Sequence, residues 1–321
     1  MKAIRVHGPG GPEVLKYEEV PDPKAGNGEV LVVLEAIGVN FVDIYNRRSA
    51  PSGQTTPIGR EGAGVVEAVG QGVKDFKVGD KVAFDGTLGA YAELIAVPAD
   101  RLVKVPSKLT TKQAASVLLQ GMTAHYLATS VYPLKKGDVC LVHAAAGGVG
   151  ELLCQMAKMR GAKVIGTVST REKAKVAGEA GADEVIVYTK ADFGEEVKKL
   201  TAGKGVNVIY DSVGKTTFLK GFKVLRPLGM MVLFGQSSGP VESFDPSILA
   251  KGGSLFFTRP SLTNYTATRQ DLLQRANEVF KWVADGSLKV RVFKEFPLQE
   301  AAKAHQALEE RQTVGKLLLT P

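Results

Sequence analysis

The run Leu141-Val142-His143-Ala144-Ala145-Ala146-Gly147-Gly148-Val149-Gly150 reads as a buried strand that passes into glycines opening an amphipathic helix. A helix start exposes unpaired N–H groups and the positive end of the helix dipole, so an anion such as a dinucleotide pyrophosphate is held there wherever side chains leave room. Gly147 and Gly150 fill the second and third glycine places of the G-x-G-x-x-G pattern, and Ala145, the next smallest residue, stands in the first. A tight strand-to-helix turn with no ligand has the same local look, so the flanking rhythm must decide.

That rhythm is strand and helix in alternation. Apolar runs at 139–143, 163–168, 184–188, 206–211, 230–234 and 254–258 read as strands, and periodic segments at 148–160, 171–180, 193–201 and 216–226 as helices. This is the sequence form of a doubly wound parallel sheet, an α/β Rossmann unit over residues 121–264. Residues 1–120 are different: short alternating runs at 2–7, 30–39, 62–69, 81–84, 91–97 and 101–105, punctuated by Gly and Pro, predict a β-rich domain. The tail, with helices near 268–284 and 298–310 and strands near 290–293 and 316–319, is too small for a third core. We expect residues 265–321 to complete the first domain, the nucleotide unit being inserted between its halves. A length of 321 residues suits two domains, and no internal repeat suggests another plan.

Composition limits the function classes. Hydrophobic residues at 44% and charged residues at 23% are ordinary globular usage. No apolar run reaches the roughly 18 residues of a membrane span, and Met1 leads directly into a strand pattern, so a cytoplasmic protein is expected. Cys140 and Cys154 both fall on apolar faces and read as core residues. The net charge of +8 invites anionic partners, but the cations are scattered, with Arg47-Arg48, Lys135-Lys136 and Lys198-Lys199 the densest pairs. No basic stripe interleaves with aromatics, which disfavours dedicated nucleic-acid binding.

The second strand of a dinucleotide unit normally ends in an acid, about 20 residues past the loop, that binds the ribose 2′-hydroxyl. Here that strand ends Gly166-Thr167-Val168-Ser169-Thr170, without a carboxylate. Glu172 follows, but Thr170 reads as a helix N-cap, and an acid in a first helical turn serves the dipole. Ser169 and Lys173 offer a hydroxyl and a cation where a 2′-phosphate would lie, favouring NADPH over NADH, although a lysine there is equally a solvated helix residue.

Taken together, the chain resembles the zinc-free, zeta-crystallin-like quinone oxidoreductases of the medium-chain dehydrogenase/reductase type, bacterial NADPH:quinone reductases above all. The likeness runs through residues 7–15, through Ala36-Ile37-Gly38-Val39-Asn40-Phe41-Val42-Asp43, the glycine loop, Tyr210-Asp211-Ser212-Val213-Gly214 and Thr258-Arg259-Pro260-Ser261-Leu262. It implies a GroES-like catalytic domain built from both chain ends around the Rossmann domain, and a homodimer, which the apolar segment 254–258 would suit as an extended sheet edge. It also implies that Asn40, Phe41 and Tyr45 border the nicotinamide and substrate, with Thr123 and Tyr126 beside the cofactor. By the same likeness Gly147, Gly148 and Val149 meet the pyrophosphate, and Ser169, Lys173 and Tyr188 the 2′-phosphate. Val213, Phe234, Gly235, Ser237, Ser238 and Arg311 would lie along the cofactor.

Zinc alcohol dehydrogenases share this architecture, and catalytic zinc needs three ligands from Cys, His and carboxylates. The matching places here are Asn40, Arg60 and Leu119, and Thr87-Leu88-Gly89-Ala90-Tyr91 crosses the structural-zinc region without a cysteine. No metal site is expected, and His7, His125, His143 and His305 read as ordinary residues. A donor set of this kind suits reduction of an electrophilic acceptor, a quinone, better than alcohol oxidation. Proximity to the nicotinamide, with Asn40, Tyr45 and more remotely Arg259 as hydrogen-bond donors, would suffice. The enzymatic alternative is reduction of alkenals or enones at an activated double bond; the alternative of another class is an RNA-binding or structural cofactor-binding protein.

Overall fold

Eleven residues from Glu29 to Val39, apolar but for Glu29 and Glu35, form a strand whose burial alternates from residue to residue at its start and is complete on both faces at its end. The computed structural model describes residues 1–321, which divide into one unit of Met1–Met122 with Thr266–Pro321 and a second of Thr123–Tyr265.

In chain order, the elements are β1 (Lys2–His7), β2 (Leu15–Glu19), β3 (Glu29–Val39), α1 (Phe41–Arg48), β4 (Thr55–Pro57), β5 (Glu61–Val69), β6 (Lys81–Asp85), β7 (Leu94–Pro98), β8 (Leu102–Lys104) and α2 (Thr111–Tyr126). Then come β9 (Val139–His143), α3 (Gly148–Met159), β10 (Lys163–Val168), α4 (Arg171–Glu179), β11 (Glu184–Val187), α5 (Phe193–Leu200), β12 (Val206–Asp211), α6 (Phe218–Gly221), β13 (Leu225–Leu233), α7 (Ser247–Lys251), β14 (Phe256–Thr258) and α8 (Leu262–Tyr265). The tail adds α9 (Arg269–Ala284), β15 (Val292–Pro297), α10 (Ala301–Glu309) and β16 (Lys316–Thr320).

In the first unit β2-β1-β4 form a small antiparallel sheet, and a larger sheet runs β15-β16-β3-β5-β6-β8 with β7 also on β3. The tail strand β16 pairs antiparallel with the end of β3, Leu318 opposite Gly38, while β5 pairs on the other side, Glu61 opposite Gly38. Three strand ends therefore bring Lys316, Asn40 and Glu61 into one row. Val30, Val32, Leu34, Ile37, Val66, Phe84 and Tyr91 anchor the core beneath.

The second unit is a six-stranded parallel sheet in the order β11-β10-β9-β12-β13-β14. Numbered within the unit, that is 3-2-1-4-5-6, the dinucleotide-binding order, whose ligand crevice lies outside the carboxyl ends of the strands where the order reverses. No helix of the chain is long and apolar enough to cross a membrane.

The structure departs from local expectation in several elements. The helix expected over 216–226 is only the single turn α6 and a 3₁₀ turn, because β13 already begins at Leu225 and the chain turns at Leu228, whose φ is +60°. The strand expected near 290–293 lies at Val292–Pro297, and the one expected from residue 91 begins at Leu94. Helices α1 and α2 and strands β2 and β4 fall where only β-rich punctuation was legible.

Candidate active site

In the parallel-sheet unit the glycine loop is built as a cradle. Ala144 leaves β9 with φ +53°, a left-handed turn that is uncommon for a residue with a side chain. Its carbonyl accepts the Gly147 N–H at 2.9 Å, and Ala145 N–H donates to Thr167 O at 3.1 Å. A Cβ on Gly150 would stand 2.3 Å from Ala144 O, so the third glycine is demanded by the turn itself. Alanine is tolerated in the first place because Gly166, on β10, presents no side chain: a Cβ there would meet the Ala145 methyl at 2.8 Å. With Gly147 as N-cap and no capping side chain, the first-turn N–H groups of Gly148 and Val149 lack an intrahelical acceptor.

His143, just before this turn, is buried, its Nδ1 is 2.8 Å from Thr167 Oγ1, and its ring meets Phe193 edge-on at 4.9 Å. Burial lowers its pKa, so the ring is a neutral core group.

Ser169 follows β10 and Tyr188 follows β11, side by side because Val168 pairs with Val187. Thr170 caps α4 by accepting the Lys173 N–H at 3.2 Å. Glu172 sits in the first turn, its pKa lowered by its own backbone N–H and the Thr170 hydroxyl. No carboxylate ends β10. Lys173 is partly buried and Tyr188 is exposed.

The loops after β12 and β13 are laced together. Buried Asp211 accepts from Val213 N at 2.7 Å, Gly214 N at 3.0 Å and Thr217 Oγ1 at 2.7 Å. Ser238 Oγ donates to Val213 O at 2.7 Å, and Ser237 N donates to Ser212 O at 3.1 Å. Phe234, Gly235, Ser237 and Ser238 are all partly buried at this strand end, and Arg259 donates to Gln236 Oε1 at 2.5 Å. Val213 and these four thus lie with the glycine loop, Ser169 and Tyr188 along one edge of the sheet, its carboxyl edge. Elsewhere in the unit Thr123 is buried and Tyr126 stacks flat on Tyr265, ring centroids 4.4 Å apart.

The first unit holds a polar cluster that sequence reading did not anticipate. Asn40, Glu61 and Lys316 are 3%, 0% and 1% exposed. Lys316 Nζ donates to Glu61 Oε2 at 2.5 Å and to Asn40 Oδ1 at 2.9 Å. Asn40 Nδ2 donates to Glu61 Oε2 at 2.8 Å and to Gly38 O at 3.3 Å, while Leu119 N–H donates to Glu61 Oε1 at 2.7 Å. From Asn40 the chain of contacts continues: its N–H donates to Asp43 Oδ2 at 2.9 Å, capping α1, and Tyr91 OH donates to the same oxygen at 3.1 Å. Tyr91 also lies 3.0 Å from His305 Nε2, and Arg47 Nη1 lies 3.0 Å from His305 Nδ1, with Arg47 Nη2 paired to Glu309 at 2.7 Å.

Burial pushes the Asp43 carboxyl up to about 7, against the hydrogen bonds of Asn40 and Tyr91 and the charge of Lys316. It pushes His305 down to about 3, with the Arg47 charge acting the same way. Phe41 and Tyr45, one turn apart on α1, have ring centroids 5.4 Å apart and are partly buried beside Asn40. Arg311 lies exposed in the turn after α10 with φ +57°. A signal for part of the cluster was present: Asn-x-x-Asp at 40–43 is a capping box. Lys316 and Glu61 have no local pattern to join them.

A GroES-like β unit and a dinucleotide-type α/β unit together define a medium-chain dehydrogenase/reductase. Residues 26–107 match the alcohol dehydrogenase GroES-like domain, and residues 148–280 match the zinc-binding dehydrogenase family. Quinone oxidoreductase 1 of Escherichia coli (strain K12) is 44% identical over 327 residues, covering 99% of each chain. A 2-haloacrylate reductase from a Burkholderia species is 42% identical, covering 99% of this chain and 98% of its own. The crystal structure of Escherichia coli quinone oxidoreductase complexed with NADPH superposes with TM-score 0.96 at 42% identity, over the whole of both chains. The chain belongs to the quinone oxidoreductase family.

The zinc implied by the matched family description finds no fitting donors. Arg60 is turned onto Asp85 at 3.2 Å, Leu119 offers only a backbone N–H, and the Lys316 ammonium already sits against Glu61 and Asn40. Nowhere do three of His, Cys, Asp and Glu converge to hold a metal ion.

Proposed function

We infer that this chain is an NADPH-dependent quinone reductase. One observation carries the reading: full-length relatedness to a quinone oxidoreductase solved with NADPH, in a chain whose own β10 ends without an acid and is followed by Ser169 and, in the first turn of α4, Lys173. NADPH, when bound, supplies the hydride. The N–H groups of Gly148 and Val149 hold the pyrophosphate, Gly147 lets it approach because it has no side chain, and the crowding around Gly150 keeps the turn fixed. Ser169, Lys173 and Tyr188 take the 2′-phosphate, where a charge-assisted bond to Lys173 gives the preference over NADH. Thr123, Tyr126, Val213, Phe234, Gly235, Ser237, Ser238 and Arg311 line the rest of the cofactor. Asn40, Phe41 and Tyr45 border the nicotinamide and acceptor, and Asn40 and Tyr45, with Arg259 further off, donate to the oxygen that gains charge during reduction.

Steady-state consumption of NADPH and NADH, measured with 1,4-benzoquinone, a 2-alkenal and 2-chloroacrylate in the presence of a metal chelator, tests this. Fastest turnover with NADPH and the quinone, undiminished by chelation, is the expected result; a protein that oxidises neither nucleotide with any quinone sinks it. The relatedness to a 2-haloacrylate reductase favours one second reading, reduction of an activated carbon–carbon double bond, which faster turnover of the alkenal or haloacrylate would establish.

The protein acts as a homodimer. The β14 edge of the parallel sheet is open, with Phe256 54% and Phe257 36% exposed, and pairing with a second copy covers both rings. A monomer on gel filtration would end this assignment.

A further inference from the structure

Asn40 carries two amide hydrogens, and the structure treats them unequally. One is held by the Glu61 carboxylate at 2.8 Å, a charge-assisted bond. The other reaches Gly38 O only at 3.3 Å, beyond the usual range for such a bond, so it is given up cheaply to a better acceptor. Which hydrogen lies where depends on the flip of the amide. Lys316 can only donate, so the atom 2.9 Å from its ammonium must be the oxygen Oδ1. The reverse flip would set NH₂ against an ammonium and oxygen against a carboxylate and a carbonyl.

Glu61 can take part because its neighbour across the strand is glycine: a Cβ on Gly38 would stand 2.1 Å from Glu61 Oε2. Its second oxygen is fixed by the Leu119 N–H. The three side chains come from separate strand ends, and each of the two charges is buried only because the other is there.

We propose that Lys316, acting with Glu61, is a positioning residue for quinone reduction: the buried ion pair locks the Asn40 amide so that its loosely held N–H, the one now on Gly38 O, is the hydrogen presented to the acceptor oxygen. The proposal rests on the reading of Asn40 as a substrate-facing donor. Lys316 also draws electron density through Oδ1, which strengthens that N–H as a donor.

The test compares wild type, Lys316→Met/Glu61→Gln, Asn40→Ala and the triple variant. Removing both charges keeps the pair neutral, whereas Lys316→Met alone strands a buried carboxylate and is expected to melt earlier. In the double variant the Leu119 N–H claims the oxygen of the amide introduced at position 61, which leaves the NH₂ of that amide facing Asn40 and reverses the Asn40 side chain. We expect kcat with 1,4-benzoquinone to fall about tenfold while the NADPH dissociation constant stays within about twofold. In the Asn40→Ala background the same two substitutions are expected to lower kcat no further. The Asn40 side-chain NH₂ resonances of ¹⁵N-labelled protein without cofactor give a second readout: the hydrogen on Glu61 lies downfield in wild type and moves to the ordinary range in the double variant.

Losses that multiply in the triple variant, an Asn40→Ala enzyme as fast as wild type, or unmoved resonances would each overturn the proposal. Failure of the wild-type chain to reduce any quinone is a different result, which removes the functional reading beneath it.

Discussion

Arg47 Nη1 and His305 Nδ1 lie 3.0 Å apart in the core of the first unit, and since a guanidinium cannot accept, the histidine must. That places the imidazole proton on Nε2, from which it donates to the Tyr91 hydroxyl oxygen, leaving the Tyr91 hydroxyl hydrogen for Asp43 Oδ2. Asp43 Oδ2 is filled by two donors and Oδ1 has no protein partner, so a proton taken up by Asp43 goes to Oδ1.

The two ends of this chain titrate in opposite senses. Asp43 has a folded pKa of about 7 against 3.8 ordinarily, so between those values the folded state keeps a proton that the unfolded state has lost. Its contribution to stability falls as pH rises through that window. His305, at about 3 against 6.5, is neutral in the fold while the unfolded chain binds a proton, so its contribution rises with pH. Wild-type stability is therefore expected to be nearly flat from roughly pH 4 to 6.5. Asp43→Asn should make it rise across that range and His305→Gln should make it fall, each by roughly 2–4 kcal/mol. Urea unfolding at a series of pH values measures both slopes, and parallel curves for the two variants would refute the assignment.

Gly38→Ala should be costly for a reason unrelated to backbone freedom. The added methyl meets Glu61 Oε2 at 2.1 Å and Ala115 O at 2.9 Å, so the carboxylate must leave Lys316 or the strand must shift. A loss of about 1–3 kcal/mol is expected, with kcat reduced alongside, read by thermal unfolding and steady-state kinetics.

The glycine loop separates structure from ligand. At Gly150 a methyl would stand 2.3 Å from Ala144 O, so Gly150→Ala should destabilise the unit by about 1–3 kcal/mol. At Gly147 the same atom is 3.2 Å away and φ is −85°, a value any residue adopts. Gly147→Ala should thus unfold near wild type while binding NADPH more weakly, as titration by nucleotide fluorescence would record.

Lys173→Ala is expected to raise KM for NADPH about tenfold and to leave KM for NADH within about twofold. Equal effects on both nucleotides would mean that the side chain meets something other than the 2′-phosphate.

The parallel-sheet unit was readable because its signals are local. Strand 139–143, the glycines and the helix beginning at Gly148 adjoin one another, and Thr170 announced its cap by type and position. Residues 216–226 misled because the apolar spacing of Phe218, Phe222 and Leu225 fits a helix, while the partners that draw Leu225 into β13 lie on β12. Asn40 could be singled out by its place after a strand, yet its bonding partners could not: Glu61 is 21 residues away and Lys316 is 276. His305 looked ordinary for the same reason, since Tyr91 and Arg47 are brought to it only by the tertiary fold.

The pairing of β16 with β3 has a bearing on how the protein is made. On the ribosome, residues 1–122 emerge long before the strand that supplies Lys316, and until it arrives β3 has an open edge and Glu61 lacks its counter-ion. The parallel-sheet unit has all its strands in one stretch and is free to mature during synthesis. The first unit must wait for the tail, so a holding chaperone acting on nascent chains should engage the end of β3 that β16 later covers.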